Sequence, residues 1–462
     1  MIIFVNPISG MKTFVSTYLA EYKKLFRLGS PILISQLSVI IIAFCDTLMV
    51  GRYSVGSLAA SAFVNSIYLI PNVMLMGLAS GVTPLVGALY SRGNMWRAGR
   101  VTRAALQVNA SVALVFTAIM AVVYFFLGHF GQDADLLPQI RSYYLVLLLT
   151  PLPIALNSLL MQMSNGVENT LLPMLVTVAC IGINVLLNWL LINGIWIFPE
   201  LGLLGAGIAT VTARIVSVLA MWLAFMLLRR YRSYKEGYFH PRRLTKMRWK
   251  VWATSWPIML QTGCEVSLWG LGGVVCGWFG AVQLSAYQVV NTISQLGFMV
   301  YISFASAVAI RVAYYSGLRD EKGAGTAARA GLHINLLLAA VASLVFIFGA
   351  RFLIPLFINT DGTEAEATAV IASALALIAP LVFYQFFDAA QCTFINAIRG
   401  TGQVRSLFLI SFVSYVAVGI PMLLLFAKVF NLGNLGAYWS FNISLAVASA
   451  MAVIFFLRIR FR

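Results

Sequence analysis

Residues 30–51 read SPILISQLSVIIIAFCDTLMVG, a run long enough to cross a bilayer and carrying one carboxylate, Asp46. A spanning helix needs about 20 mostly apolar residues, and a charge at bilayer depth costs at least about 2.5–3.5 kcal/mol on insertion scales. Such a charge persists where it faces a bundle interior or a water-filled cavity, so Asp46 reads as a functional position. Glu265 and Asp388 lie in stretches of the same kind. Three intramembrane acids suggest a cation path.

The rest of the chain supports that setting. Hydrophobic residues make up 61% and charged residues 10% of 462 positions, where a soluble domain is roughly a quarter charged. Twelve stretches are apolar and long enough to span, at about 24–50, 57–85, 101–127, 139–164, 168–193, 203–228, 250–278, 283–312, 326–349, 366–396, 404–428 and 435–457. The expected fold class is an all-α integral membrane protein of twelve transmembrane helices.

A net charge of +17 could point to nucleic acid, but its distribution argues otherwise. With a cytoplasmic N-terminus, 26 of the 31 Lys and Arg fall on the inner side; Arg52, Arg141, Arg351 and Lys428 fall outside, and Arg214 lies within a span. This positive-inside pattern places both termini in the cytoplasm of a multi-pass inner-membrane protein, with the bilayer and not nucleic acid as its partner. Asp133, Asp135, Glu200, Asp361, Glu364 and Glu366 gather on the outer side, and Trp249, Trp252 and Trp256 suit an inner interfacial belt. Residues 1–10 lack early basic residues and a small-residue cleavage site, so no signal peptide is expected, and Met11 is a second candidate start. The five cysteines show no metal-ligand spacing and read as packing residues.

An internal repeat organises the chain. At an offset of 226, Pro31 aligns with Pro257, Gly51 with Gly277, Leu58-Ala59-Ala60 with Leu284-Ser285-Ala286, and Asn65 with Asn291. A duplicated six-helix unit follows, giving two pseudo-symmetric lobes at 1–228 and 250–462 joined by a basic cytoplasmic linker at 229–249. The acids do not obey the repeat: Asp46 aligns with Gly272 and Glu265 with Val39. They were placed separately in each lobe.

Polar neighbours surround each acid. Gln261 lies one turn before Glu265, and Gln385 and Gln391 stand three residues either side of Asp388, forming polar stripes in apolar helices. Asn184 and Asn188 share a face of the fifth span and Thr210 follows in the sixth, so with Asp46 they offer the oxygen set that a hard cation such as Na⁺ requires. Interhelical hydrogen bonding explains the same amides, and both readings stand. Gly77/Gly81 and Gly273/Gly277 are small-residue pairs expected at close helix contacts. Pro31 and Pro257 are expected near helix starts, and Pro421 at a kink. Arg214 requires an interior partner that the sequence does not name. P-loop, HExxH and GxSxG signatures are absent, which leaves a secondary transporter, flippase or channel, with an intramembrane enzyme as the reading from a different class. Duplicated lobes favour rocking transport.

Gly29 to Ile34, Phe44 to Arg52 and Leu58-Ala59-Ala60 resemble the first helix of the multidrug and toxic compound extrusion (MATE) family. Cys264-Glu265-Val266-Ser267-Leu268 is similar to the seventh helix of its NorM-like branch, and Phe386-Phe387-Asp388-Ala389-Ala390-Gln391 through Arg399-Gly400 to the tenth. The resemblance covers nearly the whole chain. It implies a MATE-like fold and an antiporter, acting as a monomer and without a cofactor, that exports small amphiphilic organic cations against inward Na⁺ or H⁺. It further implies that Glu265 and Asp388 are the cation-linked acids of the C-terminal lobe, and that Asp46, Asn184, Asn188 and Thr210 match the N-terminal cation site. Na⁺ would sit at one of these two sets, supported by Gln261, Gln385, Gln391 and Asn291. Arg214 departs from the pattern, and pairing with Asp46 would close the N-terminal site. Export of a metabolite or a lipid-linked precursor is the alternative within the superfamily.

Overall fold

The computed structural model describes residues 7–133, 135–195, 198–240, 243–357 and 364–461; Asp361, one of the acids assigned to the outer side, lies outside them. The described chain is helical almost throughout, because a backbone in hydrocarbon must satisfy its own N–H and C=O groups. Among the described residues eleven helices are long and apolar enough to span a membrane, and Leu137–Leu147 with Pro151–Gly166, bent by 41°, makes a twelfth when the bent pair is taken as one span. The bend falls at Thr150-Pro151, where Pro151 has no N–H to donate to the preceding turn. The tenth expected stretch divides into a short helix, Glu364–Ala376, and the span Ile378–Thr401.

The helices group into two compact units, Ile34–Gly263 and Met1–Leu33 with Cys264–Arg462. The helices containing Pro31 and Pro257 therefore each contribute to both units. α1 (Pro7–Tyr53) begins well before the expected span, so Pro31 is interior to it and not near its start.

In the unit 34–263, α1 is followed by α2 (Val55–Ser80), α3 (Val82–Ser91), α4 (Met95–Phe126), α5 (Leu137–Leu147), α6 (Pro151–Gly166), α7 (Leu171–Asn193), α8 (Gly202–Leu227), α9 (Arg232–Phe239) and the first part of α10 (Thr245–Gly277). Breaks between them are capped: the Ser54 side chain accepts from Ser57 N–H at the start of α2, and Asn94 from Arg97 N–H at the start of α4. Gly77 and Gly81 bring α2 against α10, where an added Cβ would lie 2.4 Å from Thr262 Oγ1 and from Ser255 Oγ. Gly273 and Gly277 differ from this expectation. Their nearest neighbours lie at 3.5 and 3.9 Å, ordinary contacts that any small side chain would make.

The basic segment 229–249 is more than a tether. Tyr231 and Tyr234 are buried with Ala98 and Val101 of α4. Tyr231 Oη accepts from Asn169 Nδ2 at 3.0 Å, and Arg103 Nη1 donates to His240 O at 3.0 Å. The short helix α9 sits so close to α4 that a Cβ on Gly237 would fall 1.9 Å from Trp96 O, and one on Gly99 1.9 Å from Tyr234 O. A backbone oxygen cannot rotate away as a side chain can. Gly237→Ala is therefore expected to cost about 1–3 kcal/mol, as overpacking does, and to loosen α9. Faster trypsin cleavage within the basic segment of the purified protein would register it, and an unchanged digestion rate would refute it.

The second unit contains α11 (Ala281–Leu318), α12 (Glu321–Leu353), α13 (Glu364–Ala376), α14 (Ile378–Thr401), α15 (Arg405–Ser411), α16 (Ile420–Leu424) and α17 (Gly433–Arg458), together with the end of α10 and the start of α1. α14 packs against α11, α12 and α17, and its buried face carries Asp388. The eleventh span winds as a π-helix over Phe412–Gly419 and again over Leu425–Val429. Pro421 lies between these wide turns and cannot donate to Ala417, so the kink expected there takes the form of local π winding.

Candidate functional site

The predicted site residues gather in two polar clusters, one in each unit. In the second, helical spacing places Gln385, Asp388 and Gln391 on the buried side of α14. Asp388 is 1% exposed. Cys392 Sγ, one turn on, donates to its Oδ1 at 3.6 Å, and its Oδ2 is enclosed without a hydrogen-bond partner. Glu265 on α10 lies within electrostatic reach of it, as do Tyr301, Tyr384 and Tyr415. The flanking amides are anchored: Gln385 Oε1 accepts from Tyr301 Oη at 2.9 Å, its Nε2 donates to Ser294 Oγ at 3.5 Å, and Gln391 Nε2 donates to Tyr415 Oη at 2.8 Å. Asn291 stands one turn before Ser294 on α11. Gln261 is fully buried on α10, one turn before Glu265.

Two carboxylates in mutual reach, Asp388 buried and Glu265 partly so, favour uptake of positive charge, because burial leaves a charged carboxylate poorly solvated. One fixed cation is nearby. Arg399, assigned by sequence to the inner side, lies partly buried in the last turn of α14 within electrostatic reach of Glu265. The signal for it was its spacing: eleven residues after Asp388 is close to three full turns, hence the same face.

In the unit 34–263, Asn188 Nδ2 donates to Asp46 Oδ1 and to Asn184 Oδ1, the latter at 3.4 Å. Three residues of the expected N-terminal set are thus together. Thr210 Oγ1 donates to Ala206 O of its own helix at 2.9 Å. Arg214, one turn after Thr210 on α8, lies within electrostatic reach of Asp46 and of Tyr143.

A third cluster escaped the sequence reading. Glu21 of α1 and Arg311 of α11 form a bidentate pair, with Arg311 Nε donating to Oε2 at 3.2 Å and Nη2 to Oε1 at 3.0 Å. Tyr315 Oη donates to the same carboxylate at 2.6 Å, and both charged side chains are at most 4% exposed. Charge counting had assigned Arg311 to the inner loops, because a one-dimensional count does not see the helix face.

With the geometry in place, comparison with known proteins gives a consistent result. A family model described as MatE matches residues 31–190 and 257–425. The two matches begin at Pro31 and Pro257, the offset of 226 at which the halves align. The chain is 27% identical over 436 residues to the probable multidrug resistance protein NorM of Pseudomonas putida, covering 93% of this chain and 92% of that protein. It is 29% identical over 415 residues to the multidrug resistance protein NorM of Aliivibrio fischeri, covering 87% and 86%. Among solved structures, the eukaryotic MATE transporter AtDTX14 superposes with a TM-score of 0.86 at 18% identity, over 96% of this chain and 97% of that one. A MOP superfamily transporter from Pyrococcus furiosus superposes with a TM-score of 0.83 at 17% identity, over 95% of each. The fold is that of these transporters.

Proposed function

The chain belongs to the MatE family, and from that premise we propose that it is a secondary antiporter exporting small amphiphilic organic cations in exchange for inward Na⁺ or H⁺. The acids Asp388 and Glu265 carry this reading, because buried Asp388 has one oxygen without a hydrogen-bond partner and a second carboxylate in reach. Coupling ion and cationic substrate compete for the same negative charge, so binding of one disfavours the other. The coupling is bounded by the ion's differential affinity for the two conformations of the cycle. Gln385 and Gln391 hold the acid-bearing helix face through Tyr301 and Tyr415. A coupling Na⁺ would be cargo at the acids, exchanged on every cycle.

Everted vesicles loaded with separately imposed Na⁺ and proton gradients test this. Transport of a fluorescent organic cation into the vesicle lumen should follow one gradient and collapse when it is dissipated. Indifference to both gradients would remove the antiport reading and restore the intramembrane enzyme to consideration.

We infer an inner-membrane protein with cytoplasmic termini, from the 26 of 31 basic residues that fall on one side. A cysteine introduced beside Lys235 should react with an impermeant thiol reagent only when the cytoplasmic face is accessible. Labelling from the outer face of intact cells would invert the orientation.

A further inference from the structure

We propose that Arg97, Arg100 and Arg243 hold the headgroup of an anionic phospholipid, at the end of the unit 34–263 where the start of α4 meets the chain that follows α9. Assigning that lipid to the inner leaflet rests on the orientation inferred above. The site itself does not.

Charge sets the sign of the ligand. Segments 92–103 and 229–250 carry four and nine Lys or Arg. The acids of the same end are Glu236 on α9 and Glu168, which follows the carbonyl of Val167 that accepts from Arg230 Nη2 at 2.9 Å. Glu236 and Arg232 stand 4.0 Å apart with both side chains exposed, an arrangement worth little in water. In the other unit, basic groups near both ends of the chain meet carboxylates closely, Lys24 and Arg311 at Glu21 and Arg460 at Glu321. Two carboxylates cannot balance the cations of the 34–263 end, so it attracts an anion from outside the chain.

The patch is held in shape by its own contacts. Trp96, Arg100 and Arg103 share a face of α4. The Arg100 guanidinium lies over the Trp96 ring, 5.1 Å from its centroid, and the His240 imidazole packs edge-on against the same indole at 5.0 Å. Arg100 Nη2 donates to Arg243 O at 3.3 Å, and Arg103 Nη1 to His240 O at 3.0 Å. These contacts seat residues 240 and 243 on α4 and bring Arg243 beside Arg100, with Arg97 one turn earlier on the helix. The Arg97 and Arg243 side chains are exposed and that of Arg100 is half-buried. Arg100 Nε has no hydrogen-bond partner, so the protein leaves part of this guanidinium unsatisfied. Guanidinium donors match the oxygens of a phosphate in pairs.

The neighbouring apolar surface selects a lipid over a soluble phosphate. Gln107 and Leu114 follow Arg100 by about two and four turns on the same face of α4, and both are exposed. On α8, Leu227 and Leu228 are exposed immediately before Arg229 and Arg230. An amphiphile with its headgroup at Arg100 therefore lays its acyl chains along a surface that already faces hydrocarbon. Phe239 and Trp249 are exposed in the same basic segment, as aromatic side chains at headgroup level are.

The test uses the full-length protein in detergent micelles, titrated with phosphatidylglycerol and with phosphatidylcholine carrying the same fluorescent acyl chain. The wild type should bind phosphatidylglycerol saturably and more tightly than phosphatidylcholine. Arg100→Gln should weaken phosphatidylglycerol binding about fivefold, and the paired change Arg97→Gln with Arg243→Gln should weaken it further. Lys322→Gln with Arg405→Gln, which removes two exposed basic residues of the other unit, should change neither lipid. Because Arg97 and Arg243 are exposed, the paired variant decides the matter even where Arg100→Gln does not fold. Equal affinity of the wild type for the two lipids would overturn the site. So would an equal loss in the Lys322 and Arg405 variant, which marks diffuse attraction, or release of phosphatidylglycerol by inorganic phosphate at constant ionic strength, which marks a site for soluble anions. Neither transport nor orientation enters the readout, so failure of the antiport reading or of the topology would leave the result interpretable.

Discussion

Asp388→Asn is expected to yield a folded, membrane-inserted protein that no longer exports substrate on an imposed ion gradient. The asparagine keeps the shape of the side chain and can still receive the Cys392 contact that Asp388 Oδ1 receives at 3.6 Å. It has no charge to offer a cation. Coupling free energies between sites run at about 1–3 kcal/mol, so the gradient-dependent part of efflux should fall by about 5–150-fold. Glu265→Gln should act in the same direction, because it removes the other carboxylate of the pair. Dye efflux normalised to the amount of purified protein measures both. Full gradient-driven export by well-expressed Asp388→Asn and Glu265→Gln proteins would end the claim that these acids couple transport.

The largest effect on stability is expected at Glu21 and Arg311. Both side chains are at most 4% exposed, and the carboxylate accepts from Arg311 Nε and Nη2 and from Tyr315 Oη, with Lys24 Nζ at 3.2 Å. Removing one partner leaves the other as an unpaired buried charge, which costs about 3–5 kcal/mol. Arg311→Met should therefore lower the unfolding midpoint sharply, and Glu21→Gln should do so in the same way. Replacing both with apolar residues of similar size should recover much of the loss, since a buried ion pair and a well-packed apolar pair are often close in net stability. A wild-type midpoint in Glu21→Gln would show that the pair contributes nothing to the fold.

The start of α1 has a second attachment in the same unit, Tyr22 Oη with His333 Nδ1 at 2.8 Å, and Tyr18 stacks on that imidazole with ring centroids 5.9 Å apart. The segment before the first expected span is therefore held by side chains of α11 and α12. Nothing in its composition announces this, because Glu21, Lys23 and Lys24 read as a solvated, charged approach to the membrane.

What the amino-acid sequence determined by itself was whatever depends on local pattern. Apolar runs of about 20 residues must be helices in a bilayer, whatever they pack against, so the spans, their duplication from Pro31 and Pro257, and the oddity of Asp46, Glu265 and Asp388 were all legible. Helical spacing also placed Gln385 and Gln391 on the face of Asp388, where the fold keeps them. Tertiary structure decided which charges meet. Arg399 and Glu265 lie 134 positions apart, and Arg311 and Glu21 lie 290 apart. No periodicity links residues at such separations, because side-chain pairing over that range depends on how helices pack and rotate against one another. Arg311 and Arg399 enter a charge count only as inner-side charges, and their neighbours are hidden for the same reason: charge counting along a chain resolves the side of a membrane but not the face of a helix. The close seating of α9 on α4 was hidden as well, since Gly99 and Gly237 acquire their meaning only from the backbone oxygens that stand against them.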